Sequence, residues 1–329
     1  MSKLLRYVSI FLITSCLLFA CHAPRQTELK RPPLKVGVTF FVGCNPVIIA
    51  EKKGFFKAQG VDVEITYKDY GQLEQADFSA GKYDGVASAL GDFMILSATN
   101  PDMQAVMVVD ETAGADAVVA QSQIKTVADL KGKKVSANLG AFGEVFVTEM
   151  LKTANLTSDD VSLVKIDPSK FPQGLKSNTI QAGHTWEPYL SKAIKLGGHI
   201  LFTSKQTPGL ILDVVAFRGE AIRERPEDIR AFIRGWLQAV TYWEANVEEG
   251  NAIISKALNI PSNTLSLEGI NLTDLEENKN FFESSSSQSI YKTAKIYTDF
   301  FIQSGNVTRM PDIKTLFNSS FLYSANVHP

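Results

Sequence analysis

The sequence predicts an α/β chain folded as two lobes. Two observations carry this. A strand that runs through a turn into a helix recurs four times, in separated parts of the chain. In addition, roughly 295 residues follow the proline-rich stretch near the start, more than one hydrophobic core usually serves. A strand leading through a turn into a helix aims the helix's free N–H groups at the space beyond the sheet, where ligands of open α/β sheets sit. Four such turns predict one shared ligand cleft.

The chain begins with Lys3 and Arg6 and an apolar run from Tyr7 to Ala20, interrupted by Ser9, Thr14 and Ser15. That run is short for a membrane span of about 20 residues and reads as a secretory signal over 1–20. Its end, Leu18-Phe19-Ala20-Cys21, resembles the lipobox of bacterial lipoproteins, which implies a lipid on Cys21. Ile13-Thr14-Ser15-Cys16 is a second match, and a cleaved signal without lipid is the plainer alternative. Residues 21–34, polar and proline-rich, read as a tether. Cleavage before Cys21 leaves Cys44 as the one free thiol, so no disulfide framework is expected and Cys44 reads as a small buried residue. The net charge of −2 gives no sign of a nucleic-acid partner or an anionic membrane surface.

Leu34 to Phe40 forms the first strand, and Val42-Gly43-Cys44-Asn45 the first turn, with a helix begun by Pro46. Val61-Asp62-Val63-Glu64-Ile65 alternates as a strand should. Tyr83 to Leu90 is strand-like and breaks at Gly91 into a helix from Asp92 to Ala98. Val127 to Leu130 is a short helical turn, Lys134 to Asn138 a strand, and Gly140-Ala141-Phe142-Gly143 a turn that admits positive φ. A helix from Glu144 then buries Val147, Met150, Leu151 and Ala154 on one face. Ile180 to Trp186 breaks at Glu187-Pro188 into a helix to Leu196, and His199 reads as a loop residue after Gly197-Gly198. Ile211 to Phe217 is a strongly apolar strand. From Pro226, the residues Ile229, Phe232, Ile233, Trp236, Val240 and Trp243 make a helical stripe; core packing, rather than an aromatic binding face, explains that spacing. Leu275 to Phe282 and Ile290 to Phe301 read as further helices, and Ser284 to Ser287 as an exposed loop.

Several of these pieces carry a resemblance: Glu51-Lys52-Lys53-Gly54-Phe55-Phe56, Gly60-Val61-Asp62-Val63-Glu64, Ala80-Gly81-Lys82-Tyr83-Asp84-Gly85, Ala115-Asp116-Ala117-Val118, Val127 to Val135, and Trp186-Glu187-Pro188-Tyr189. In this order and spacing, over most of residues 35–250, the chain resembles the substrate-binding proteins of ABC importers, in the subgroup handling taurine, aliphatic sulfonates, nitrate and thiamine precursors. The resemblance implies the two-lobed periplasmic-binding-protein type II fold, with two hinge crossings and a ligand cleft between lobes. The crossings are expected near Ala115 to Gln121 and Leu210 to Phe217, with lobe 1 formed by 35–119 plus 214–329 and lobe 2 by 120–213. It further implies a monomer on the extracytoplasmic face of the cell membrane, working with permease and ATPase subunits.

The rival reading is an enzyme. His184 and Glu187 stand three apart and are the pair to weigh for a metal, but no Cys/His/Asp cluster accompanies them. Gly140 to Gly143 matches neither a dinucleotide nor a phosphate-loop fingerprint. A thiamine-pyrimidine synthase shares the family architecture, yet its cysteine- and histidine-rich features have no counterpart in this sequence. No enzyme activity, metal or cofactor is expected. A sensor or adhesive surface lipoprotein is the alternative from another class.

The candidate ligand-binding residues sit at the four turns, the strand ends and the crossings: Phe41, Cys44, Asn45, Gly91, Asp92, Asp110, Asp116, Phe142, Glu144, Trp186, Glu187 and Asp213. Helix N-termini favour anions, but acids occupy these turns and no lysine or arginine does. An acid-lined cleft suits a small cation, guanidinium first, with the Trp186 face and a carboxylate as partners. Sulfonates, taurine or nitrate remain the alternative, in which the acids only complement helix dipoles.

Overall fold

The computed structural model describes residues 31–68 and 75–323. The signal segment, Cys16, Cys21 and most of the tether lie outside the described residues. The strands in chain order are β1 Leu34–Thr39, β2 Val63–Lys68, β3 Gly85–Ala89, β4 Gln104–Thr112, β5 Ala117–Ala120, β6 Lys134–Ala137, β7 Ser162–Lys165, β8 Ala182–Thr185, β9 His199–Thr203, β10 Leu212–Phe217 and β11 Ile270–Leu272. Among the described residues they form a six-stranded sheet, β11-β4-β10-β3-β1-β2, and a five-stranded sheet, β7-β6-β8-β5-β9. In each sheet a parallel core carries one or more antiparallel strands: β1 is parallel to β2 and β3, and β6 to β7 and β8. β10 runs antiparallel to β3 and β4, and β5 antiparallel to β8 and β9.

This topology brings the cleft-forming ends together. The carboxyl ends of β1, β3 and β4 share an edge with the start of β10, because Asp213 pairs with Ala89 on one side and Asp110 on the other. In the second sheet, Ala117 at the start of β5 lies between Thr185 and Thr203, the ends of β8 and β9. The chain crosses between the sheets at 113–116 and returns at 204–211. Both crossings come a few residues earlier than their apolar runs suggested. Ala117–Ala120 and Leu212–Phe217 are fully buried strands that belong to the two sheets, and the crossings precede them. The lobe boundaries anticipated at 119/120 and 213/214 therefore fall inside β5 and β10. The crossings are tied to each other, Gly114 N–H donating to Ser204 Oγ at 2.7 Å and Ser204 N–H to the Asp116 carbonyl at 2.9 Å.

The long helix Pro226–Ala245 shows why the apolar stripe forms where it does. Pro226 opens it, Glu227 and Asp228 complement its N-terminus, and Ile229, Phe232, Ile233, Trp236, Val240 and Trp243 are buried. Trp236 and Trp243 are fully buried core residues. The helix Phe142–Lys152 buries Val145, Phe146, Val147, Met150 and Leu151; it starts two residues earlier than expected, and β3 enters its helix Leu90–Thr99 without an intervening loop. His199, expected in a loop, opens β9 and pairs with Ala120. No helix among the described residues is long and apolar enough to cross a membrane.

Candidate functional site

All four strand–turn–helix units converge on one cleft. Its floor is a small pocket of about 20 Å³ lined by Thr39, Phe40 and Phe41 after β1, Ala89 at the end of β3, and Thr112 at the end of β4. Asp116, Phe142, Trp186, Ile211 and Asp213 complete the lining. Above it opens a chamber of about 450 Å³ that shares Phe40, Phe41 and Trp186 with the floor. Among the described residues, no lysine, arginine or histidine lines either space.

The floor is acidic because Asp213, at the start of β10, and Asp116, on the first crossing, both line it. Asp110 and Asp213 are cross-strand partners, both buried, and Cys44 in the turn Val42–Cys44 packs against them. The Cys44 thiol donates to Asp213 Oδ2 at 3.6 Å. Asp110 receives no N–H donor at either oxygen, and a Cβ at Gly43 would overlap its carboxyl group. Burial first, then the neighbouring Asp213 and Asp116, pushes Asp110 well above the usual carboxylate range. Burial and the neighbouring acids thus favour the protonated form of Asp110 beside Asp213. Asp213 is itself raised to about 7, by burial first and then by Asp116 and Asp92, against the lowering effect of the hydrogen bonds from Cys44 and Asp110.

Asp116 has a different partner. His184 Nε2 lies 2.7 Å from Asp116 Oδ1, and both side chains are buried. The imidazole is fixed by rings on three sides, with centroids 5.5 Å from Phe142, 5.1 Å from Phe146 and 5.4 Å from Trp186. Its Nδ1 is unpartnered and turned toward Gly143, where a Cβ would stand 2.7 Å from it. Asp116 sits on the crossing and His184 on β8, so the pair fastens the crossing to the second sheet. Nothing local in the sequence marks this pair, 68 residues apart.

The other acids are occupied elsewhere. Glu144 Oε2 accepts from Gly140 N–H at 2.6 Å, and Glu187 accepts from Ser191 at 2.7 Å (Oγ) and 3.2 Å (N–H). Glu144 closes its own turn, outside both linings. Glu187 is exposed at the rim of the upper chamber. Asp92 is half-buried and lies outside both linings, close enough to help raise Asp213. Asn45 is buried and lines the upper chamber. Gly91 stands where the two lobes touch, its position 2.9 Å from Phe142 Cβ and from Tyr297 Cε1 if a Cβ were present. Thr39, Phe40, Thr112, Ile211 and the entire 260–270 segment of the upper chamber were missed by sequence reasoning. Thr39 and Phe40 were legible as the end of the first strand; the 260–270 segment carries no periodic or motif signal.

His184 and Glu187, the sequence's candidate metal pair, are parted: one is buried on Asp116, the other exposed. The donors the fold does assemble are Cys44, Asp110 and Asp213, within 4.8 Å of one another. They could hold a metal ion only after losing protons, and burial opposes that loss at both the thiol and Asp110. Burial first, then Asp213 and Asp110, pushes the Cys44 thiol up. A thiol kept protonated is also a poor nucleophile. The arrangement is suited to binding charge.

Two α/β lobes, two crossings and a cleft at the carboxyl ends of both sheets define a two-lobed periplasmic-binding-protein type II fold. The chain belongs to the NMT1-like family, whose model matches residues 27–259. Over 329 residues it is 23% identical to a Bacillus subtilis (strain 168) protein provisionally named for binding aliphatic sulfonates, covering 96% of this chain and 94% of that one. The crystal structure of the periplasmic aliphatic sulphonate binding protein SsuA from Escherichia coli superposes with a TM-score of 0.71 at 17% identity, over 87% of this chain and 92% of that chain. The desulfurization enzyme DSZB shares the fold as well, with a TM-score of 0.63 at 13% identity over 88% of this chain and 98% of that one. The resemblance to ABC-importer substrate-binding proteins read from the sequence is therefore upheld, within a fold that also carries an enzyme.

Proposed function

We propose that this chain captures a small nitrogenous cation, guanidinium first and small amines next, for an ABC importer. The observation that carries the reading is the floor pocket: Asp116 and Asp213 face it, aromatic rings of Phe41, Phe142 and Trp186 wall it, and no cationic side chain lines it. Asp116 is already held by His184. Asp213, which faces no cationic side chain in the lining and accepts from the Cys44 thiol, is therefore the carboxylate that a cationic ligand would pair; a buried, unpaired charge costs several kcal/mol. A cation over the Trp186 indole gains about 0.5–2 kcal/mol more. A protonated thiol beside a protonated carboxyl supports a binding role without chemistry.

On this reading the lobes, 33–112 with 212–323 and 117–203, close over the ligand about the crossings at 113–116 and 204–211. The protein works outside the cytoplasmic membrane with permease and ATPase subunits, anchored through a lipid on Cys21. A Cys21→Ala chain should be released from membranes or remain unprocessed; intact mass of the membrane form without added lipid rejects the anchor.

Sulfonates are the second reading, favoured by the named ligands of the relatives. A melting-temperature screen with guanidinium, methylguanidine, agmatine, urea, taurine, ethanesulfonate and nitrate separates the two. A ligand at 100 times its dissociation constant adds about 2.7 kcal/mol. Guanidinium should stabilise the protein at micromolar to low millimolar concentrations. A response to sulfonates alone refutes the cation reading.

A further inference from the structure

The two spaces of the cleft differ about twentyfold in volume, and their linings differ in kind. The floor, about 20 Å³, has room for about one water-sized group and holds the carboxylates. The upper chamber, about 450 Å³, falls in the range that encloses a ligand with a ring or chain. An ammonium, or one NH₂ edge of a guanidinium, is enough to occupy the floor, and with nothing attached it leaves the chamber to water.

The chamber's walls are apolar on both sides. Phe40, Val42, Ile260 and Leu265 face it from the first lobe, Pro188 and Tyr189 from the second. Phe40, Val42, Ile260 and Tyr189 are only half-buried, so apolar surface that could leave water is gathered around this one space. Trp186 lies at the neck, lining both spaces, its ring held 6.2 Å from Phe142 and 5.4 Å from His184. The neutral polar lining residues are Asn45, Ser169, Thr264 and Ser266, and the charged ones, Asp167, Glu187 and Glu268, are exposed acids at the rim.

We infer that the ligand is an amphiphilic organic cation: a guanidinium, amidinium or ammonium head on the Asp116–Asp213 floor, joined to an alkyl or aromatic body that fills the upper chamber. This rests on the cation reading above and narrows it. Small head groups alone are weak ligands, and the body supplies the larger share of affinity through the hydrophobic effect.

The test is calorimetric titration of the full mature chain with guanidinium, methyl-, ethyl- and butylguanidine, benzylamine, and alkanesulfonates of matching chain length. Each added methylene should tighten the guanidines about fourfold, making butylguanidine roughly two hundred times tighter than guanidinium. Ile260→Asn, at a half-buried position of the chamber wall, should flatten that series to less than about twofold per methylene; its melting curve shows that it folds. If guanidinium binds but the series is flat, the inference falls and the cation reading stands. If only the sulfonates bind, or no compound binds at millimolar concentration, both fall.

Discussion

Replacing Asp213 by asparagine should make the ligand-free protein more stable at neutral and alkaline pH while abolishing cation binding. The Asp213 carboxyl is lifted from 3.8 to about 7 in the folded chain, by burial first and then by Asp116 and Asp92. Between pH 4 and 7 the unfolded chain has lost this proton and the folded chain still holds it. The folded state binds more protons there, so stability falls as pH rises through that window, and the penalty is complete above 7. Attributed wholly to Asp213, the rise corresponds to about 4 kcal/mol; because Asp110 titrates together with it, on the order of 2 kcal/mol is expected. An amide cannot ionise, yet its oxygen still accepts from Cys44 and its NH₂ can donate to Asp110. Thermal melts should show Asp213→Asn about 5 °C above the parent at pH 8 and level with it at pH 4.5. Guanidinium should no longer shift the variant. A variant that melts below the parent at pH 8, or differs from it equally at both pH values, would refute the reasoning.

Cation affinity should follow the ionisation of Asp213, weakening about tenfold per pH unit below 7, so that titration at pH 5 gives a dissociation constant roughly a hundredfold above that at pH 8. A pH-independent affinity would remove Asp213 from the ligand's first contacts. Cys44 should resist alkylation in the folded chain, because its thiol is fully buried and held protonated; peptide mass spectrometry should find it modified only after unfolding, and rapid native labelling contradicts the site. Gly91→Ala places a methyl 2.9 Å from both Phe142 and Tyr297 and should cost about 1–3 kcal/mol of stability with a weakened ligand response. An unchanged response would show that the lobes do not need this contact for binding.

The sequence made local structure legible wherever it depends on neighbours along the chain. The stripe from Ile229 to Trp243 became one buried helix face, and the four turns met at one cleft, because strand-to-helix direction fixes where a turn points. Phe41, Asp116, Phe142, Trp186 and Asp213 come together around the floor pocket for the same reason. Glu144 and Glu187 looked equivalent to Asp213 in sequence, but each has a backbone N–H four residues away and is satisfied there. That i, i+4 capping was readable, and it separates an acid that serves its own turn from one that serves a ligand. Asp213 differs because its neighbours are cross-strand: Ala89 and Asp110 arrive from positions more than a hundred residues earlier. The Asp116–His184 pair and the 260–270 wall were illegible on the same ground. They are set by which strands lie side by side, a property of the topology and not of any window.

On the cation reading the ligand's charge is tied to closure, because Asp213 belongs to the first lobe and Asp116, on the crossing, is fastened to the second. Asp213 opens β10 of the first sheet; Asp116, on the crossing, is fastened to β8 of the second sheet through His184. Asp116 lies near enough to raise Asp213, so on this reading an empty cleft should resist closing. A cation between them reverses that balance, and a neutral molecule of the same shape does not. A ligand shifts an equilibrium only by its differential affinity for the two states, and here the charge supplies the difference. Small-angle X-ray scattering at pH 8 should therefore show a smaller radius of gyration with saturating guanidinium and no change with urea, its neutral isostere, at the same low millimolar concentration. Asp116→Asn should close more readily without ligand, because one of the two opposing charges is gone. Equal compaction by urea and guanidinium would show that shape alone drives closure and that the carboxylates are bystanders to it.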